Sequence, residues 1–131
     1  PVYNPPARAL RACIKSVRTQ NFDDWEWCIV NDCSTQPHVR RMLNRLAARD
    51  SRVRVAHRST NGGIVAASQD GLDMATGEFV ALLDHDDVIA KRALKRVNEE
   101  LLKDDTIDYL YTDEDKINSN GQHYDSFQKY P

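Results

Sequence analysis

Residues 84–87 read Asp-His-Asp-Asp and follow directly on the apolar run from Phe79 to Leu83. Carboxylates this close repel one another unless a positive charge sits among them. An Asp-x-Asp pair at a strand end can hold one hard divalent cation. Mg2+ or Mn2+ suits it, because both prefer oxygen ligands and share them with substrate phosphates. Asp84 and Asp86 are the ligands this reading selects. The competing role is to cap a helix near Ala90, where an aspartate meets the positive end of the helix dipole. Asp87 suits that role, and His85 reads as structural.

Three further stretches could carry chemistry. Asn31-Asp32-Cys33-Ser34 follows an apolar run, and a carboxylate there can accept a hydrogen bond from a base N–H or a ribose hydroxyl. Asp32, Ser34 or Thr35 could equally cap the helix near Pro37. Proline in the first turn makes Ser34 or Thr35 the better cap, which leaves Asp32 free for a ligand. Asn61-Gly62-Gly63 precedes a helix. It would let backbone N–H groups approach an anion, or would simply form a tight turn. Asp113-Glu114-Asp115 could add carboxylates to the same pocket or form a solvated turn beside Lys116. No Ser-His-Asp or Cys-His arrangement, Gly-x-x-x-x-Gly-Lys loop or Gly-x-Gly-x-x-Gly stands out, and the four histidines lack metal-ligand spacing.

The elements that must position these residues alternate. Val2-Tyr3 reads as the end of a first strand, and Leu10, Cys13, Ile14 and Val17 recur at helical spacing after Pro6. Strands are predicted at 25–30, 53–56, 78–83 and 107–112. Helical stripes run through Val39 to Ala47, Ile64 to Ala75 (stopped by Gly77) and Leu94 to Leu101. Residues 118–122 read as the turn of a hairpin joining Lys116-Ile117 to His123-Tyr124. The predicted class is α/β, a mostly parallel sheet with helices on both faces. Ligands of such sheets bind beyond the carboxyl ends of the strands, and the acids at 32, 84–87 and 113–115 should converge there.

Bulk properties bound the function. The chain has 131 residues, 18 basic against 20 acidic, which leaves a net charge of −2 and argues against nucleic-acid or membrane binding by bulk charge. No apolar run is long enough to span a bilayer. Cys13, Cys28 and Cys33 are odd in number and read as reduced thiols of a cytoplasmic protein. Pro1 is no initiator methionine, so the chain reads as a fragment of something longer.

Taken in order, "PVYN", "SVRTQNFDDWE", "IVNDCST", "NGGI", "GLDMATGEFVALLDHDD" and "YTDEDKI" resemble the nucleotide-binding part of family-2 glycosyltransferases. Their bacterial surface-polysaccharide group is the most similar. The resemblance covers essentially all of residues 1–131. It implies a truncated GT-A fold, the Rossmann-like fold of nucleotide-diphospho-sugar transferases, in a single domain fragment whose acceptor half is absent. It further implies metal-dependent transfer of a sugar from a nucleotide-diphosphate sugar, with UDP-sugars favoured, to an acceptor hydroxyl, with inversion. The acceptor would be a glycan or a lipid-linked molecule. The full-length protein would work in the cytoplasm or at the inner face of the membrane.

By position, the resemblance places Pro1, Tyr3 and Asn4 in a nucleotide-contacting loop and Asp32 on the base. Asn61, Gly62 and Gly63 join the sugar-nucleotide site. Asp84 falls on the ribose or metal and Asp86 on the metal, while Asp113 and Asp115 lie near the sugar or acceptor. Ser68-Gln69 stand where many relatives carry Arg-Asn. The general base of such enzymes lies downstream, so Asp113 and Asp115 are only stand-ins for it. The alternatives are a sugar-nucleotide-binding fragment without catalysis, a nucleotidyltransferase and a receiver-like Mg2+-binding signalling domain. "NPPARAL" after the first strand counts against the second, and acids after strands two, four and five count against the third.

Overall fold

The computed structural model of the chain describes residues 1–118 and 120–129. They divide into two compact units, Pro1–Lys95 and the residues from Arg96 onward.

The first unit carries α1 (Ala7–Arg18), β1 (Trp27–Asn31), α2 (Pro37–Ala47), β2 (Val53–His57) and α3 (Gly63–Met74). β1 and β2 pair in parallel, with Trp27 opposite Val53 and Asn31 opposite His57. A parallel pair needs a crossover, and α2 supplies it. The first predicted strand is reduced to one parallel bridge between Val2 and Asn31. There the Val2 amide donates to the Val30 carbonyl at 2.8 Å and the Asp32 amide to the Val2 carbonyl at 2.9 Å.

The helical stripes do what their spacing requires. Leu10, Cys13 and Val17 of α1 are buried, as are Val39, Leu43 and Leu46 of α2. Neighbouring residues of a strand point to opposite faces, and β1 uses both. Ile29 joins a core with Leu10, Val39, Leu43, Leu46 and Val53. On the other face Val30 meets α3, where a Cβ on Gly71 would lie 3.7 Å from the Val30 side chain. Helices therefore cover the parallel sheet on both faces, as predicted.

Two predicted strands are corrected. Residues 78–83 form no strand, and Phe79 and Leu82 are 47% and 87% exposed. A strand requires a hydrogen-bonding neighbour, and the edge beyond β1 offers only the Val2 bridge. Residues 107–112 likewise form no strand, and Tyr109 stands 82% exposed. Gly77 does not end α3, which stops at Met74 with Ala75 as its cap. Nor do Ser34 or Thr35 cap α2. Asn4 instead braces the loop before α2, its Oδ1 accepting from the amides of Thr35 and Gln36 at 2.9 and 3.0 Å.

α4 (Ala93–Leu101) runs from the first unit into the second. The second unit holds an antiparallel hairpin of β3 (Glu114–Ile117) and β4 (His123–Phe127), with Lys116 opposite Tyr124 and Ile117 opposite His123, as predicted. Of its turn, Ser119 lies outside the described residues, as do Tyr130 and Pro131 of the final segment. Asp113 to Asp115 therefore sit at the start of a strand rather than at the end of one.

Candidate functional site

A cleft of about 290 Å³ opens in the first unit where its loops meet. Pro1, Tyr3, Asp32, Asn61, Gly63, Asp84 and Asp86 all line it, with Ile64 and Ala67 as an apolar wall. His85, which reads from the sequence as structural, lines it too; the sequence singled out the other polar members, and the fold gathers them from loops far apart in the chain.

Asp32 sits at its floor. β1 ends at Asn31, so the next side chain leaves the sheet at its carboxyl edge and is 3% exposed. Its Oδ1 accepts from the Gly62 amide and its Oδ2 from the Gly63 amide, both at 2.8 Å. The Asn61 side chain donates to the Asp32 carbonyl at 3.2 Å. The expectation of a free Asp32 carboxylate is therefore corrected. The anion cradled by the glycine loop is the protein's own, and the cradle explains the glycines. Gly63 has φ +78°, a left-handed conformation that glycine adopts without strain. A Cβ at Gly62 would lie 2.6 Å from Nη2 of Arg58. A carboxylate still has about four lone-pair sites, so two backbone donors leave Asp32 with acceptor capacity.

Asp84 and Asp86 are placed by α1 instead of a strand. The Cys13 Sγ donates to the Asp84 carbonyl at 3.6 Å, and the Ile89 amide donates to Ser16 Oγ at 3.2 Å. Gln20 donates through Nε2 to the Ala90 carbonyl at 2.8 Å and accepts the Leu94 amide at 3.2 Å. Cys13, Ser16 and Gln20 thus form a polar seam, spaced by three and four, that pins residues 84–94. Burial pushes the Cys13 thiol up to about 12, and the charges of Asp87, Asp86 and Asp84 act in the same direction. The Asp86 side chain is 61% exposed, and the His85 imidazole, charged only when protonated, lies 4.0 Å away.

The loop before this segment has its own clasp. Glu26 Oε1 accepts from the Thr76 amide, from Thr76 Oγ1 at 3.0 Å and from the Gly77 amide at 3.0 Å. Its Oε2 pairs with Arg54, which also donates to the Met74 carbonyl. The Thr76 amide first, then the Thr76 hydroxyl, Arg54 and the Gly77 amide, hold the Glu26 carboxyl down at about 2.

Other predicted site residues fall elsewhere. Asn4, with φ 48°, turns its side chain to Thr35 and Gln36 before α2 and does not line the cleft. Gly62 contributes only its amide to Asp32. Asp113 and Asp115 belong to the second unit. There Asp113 accepts the Lys129 amide at 2.9 Å and Asp115 pairs with His123 Nδ1 at 2.7 Å. Among the described residues, no group of three or more His, Cys, Asp or Glu side chains converges as a metal site. Sequence reading places Arg58 just past the predicted strand 53–56 without giving it a role, and it missed Gln20 and Glu26, whose partners lie 70 and 50 residues away in the chain.

The family model described as "Glycosyl transferase family 2" matches residues 1–130. Among curated proteins, the O-antigen biosynthesis protein RfbC of Myxococcus xanthus is 37% identical over 98% of this chain and 10% of its own length. Chondroitin synthase of Pasteurella multocida is 35% identical over 92% of this chain and 12% of its own length. Among solved structures, S. aureus TarS superposes with a TM-score of 0.71 at 27% identity, over 79% of this chain and 18% of that one. The complex of TarS 1-349 with UDP superposes with a TM-score of 0.66 at 27% identity, over 72% of this chain and 28% of that one. The chain spans between 10% and 14% of the length of the first curated relatives it matches.

Proposed function

We propose that this chain, which belongs to glycosyl transferase family 2, is the donor-binding half of a polysaccharide glycosyltransferase. Its ligand is a nucleotide-diphosphate sugar, UDP-linked by preference, bound in the cleft between Tyr3, Asp32 and Asp84-Asp86. The observation that carries this reading is that one cleft gathers an acceptor for a base and a pair of carboxylates for a cation. The UDP complex of the similar TarS structure supports the choice of nucleotide. The nucleotidyltransferase and receiver-like alternatives find no support in the family match.

The donor set fits a divalent ion that arrives with its ligand. Asp84 and Asp86 offer hard oxygens at the cleft wall, and Asp86 is largely exposed. Two carboxylates fall short of the roughly six oxygens that Mg2+ or Mn2+ takes, and such ions commonly complete their shell with water and substrate phosphates. When bound, the ion would supply Lewis-acid stabilisation of a leaving diphosphate. The chain's own residues do the positioning. Asp32 accepts from the base, Tyr3 and Ile64 flank it, and the α1 seam holds the Asp84-Asp86 backbone in place.

Transfer to an acceptor hydroxyl, with inversion, belongs to the longer protein. Its acceptor is a glycan or a lipid-linked molecule. Deprotonating that hydroxyl needs a positioned base. Asp113 and Asp115 are both engaged within the hairpin unit, so we assign the base to the acceptor-binding part. Among the described residues no helix is long and apolar enough to cross a membrane. We place the protein in the cytoplasm or at the inner membrane face.

Calorimetric titration with UDP tests the assignment. Affinity should rise roughly tenfold with Mn2+, equivalent to about 1.4 kcal/mol, and Asp86→Ala should abolish that gain. Equal affinity with and without the ion, in both proteins, would remove the metal from the reading. No binding of UDP or any UDP-sugar would remove the nucleotide as well.

A further inference from the structure

Arg58 is the one cation at the Asp32 carboxylate among the described contacts, and nothing in the family match gives it a role. It follows β2 directly, and its amide donates to the Asn31 carbonyl at 3.0 Å, so its backbone is tied to the end of β1. Its side chain is 23% exposed, and Nε lies 3.0 Å from Asp32 Oδ1. That Nε makes a charge contact only, since it has no aligned hydrogen-bond partner. Nη1 pairs with Asp70 of α3 and donates to the Ala66 carbonyl at 3.4 Å. Nη2 occupies the space that a side chain at Gly62 would need. One guanidinium therefore touches the β1 loop, the glycine loop and the first turns of α3.

We infer that Arg58 is a positioning residue that makes Asp32 a reader of the nucleobase, an inference that rests on the nucleotide-binding reading above. A carboxylate this buried is costly unless a countercharge accompanies it, and Arg58 supplies that charge. Its planar fork spans Asp32, Ala66 and Asp70 at once, which a lysine ammonium cannot do. The Gly62 and Gly63 amides fix the plane of the carboxylate, and the Arg58 charge beside it holds it there, leaving its remaining lone pairs for a ligand in the cleft. An ionised carboxylate accepts hydrogen bonds and donates none. It therefore suits the imide N–H at N3 of uracil and opposes the bare N3 of cytosine. A site built to bond one partner rejects an analogue lacking the matching group.

The test is the UDP-to-CDP affinity ratio, measured by calorimetry at fixed Mn2+ for the full chain, Arg58→Met, Arg58→Lys and Asp70→Asn. Wild type should prefer UDP. Arg58→Met should weaken UDP binding by roughly tenfold or more and bring the ratio towards one, and Arg58→Lys should recover part of both. Asp70→Asn, at a half-exposed position, should move the ratio in the same direction by less. If Arg58→Met does not fold, the lysine and Asp70 variants carry the same readout. A ratio unchanged in every folded variant overturns the inference, even if both affinities fall together, since loss of fold support alone lowers them equally. Failure of the underlying reading looks different, because wild type would then bind neither nucleotide.

Discussion

The side-chain amide of Gln20 donates a 2.8 Å hydrogen bond to the carbonyl of Ala90, 70 residues further along the chain. This contact and the Leu94 amide bond hold the segment that carries Asp84 and Asp86, although no strand leads into it. Gln20 is only 8% exposed, and its bonds to Ala90 and Leu94 are partly buried. Gln20→Ala should lose both bonds, at about 1 kcal/mol each. Urea unfolding measures the loss, and hydrogen exchange locates it. The Leu94 amide should exchange faster while the β1 amides keep their protection relative to global stability. Unchanged exchange at Leu94 would contradict the pinning role.

Asn4 combines a left-handed backbone with hydrogen bonds to the loop before α2. Losing those bonds should cost about 1 kcal/mol, and alanine at φ 48° adds roughly another 1 kcal/mol. Asn4→Gly loses only the hydrogen bonds, so it should be less destabilising than Asn4→Ala in denaturant titrations. The reverse order would show that the left-handed backbone does not penalise alanine.

Glu26 gives stability a dependence on acid. Its folded value near 2 lies below the ordinary 4.5. Its contribution is therefore complete above about pH 4.5 and is lost as pH falls towards 2. Wild type should exceed Glu26→Gln in thermal midpoint at neutral pH, and the gap should close between about pH 4.5 and pH 2. A gap that is constant with pH would exclude the carboxylate as its source.

Cys13 behaves in the opposite sense. Its thiol is raised to about 12 from an ordinary 9. It therefore favours the fold below pH 9, and this stabilisation disappears as pH climbs towards 12. The thiolate is the reactive form, and Cys13 is fully buried. At pH 8 iodoacetamide should leave Cys13 unmodified in the native chain, on the order of a thousandfold slower than an ordinary thiol, and should label it in urea. Peptide mass spectrometry distinguishes these outcomes, and native labelling at Cys13 would contradict the burial.

Local periodicity made the helices legible. Leu10, Cys13 and Val17, or Val39, Leu43 and Leu46, announce a buried face without reference to the rest of the chain. The strands were less so, because an apolar run such as Phe79–Leu83 becomes a strand only when a neighbour completes its hydrogen bonds. Apart from His85, the polar set of the cleft was readable by residue type. Carboxylates after β1 and after the apolar run, and glycines before α3, have few other uses together.

By itself, the sequence determined the helical faces that pack on the sheet and marked Asp32, Asn61, Asp84 and Asp86 as polar residues of interest, which one cleft gathers while Asp113 and Asp115 fall in the other unit. Only the tertiary structure decided how each is occupied. Asp32 looked free because its nearest sequence neighbours offered no donors. In the fold its partners are amides about 30 residues away and a guanidinium on the adjacent strand's end. Asp84 looked strand-mounted, yet its backbone is held by a helix lying some 70 residues earlier. Such pairings depend on distances in space, which spacing along the chain does not encode.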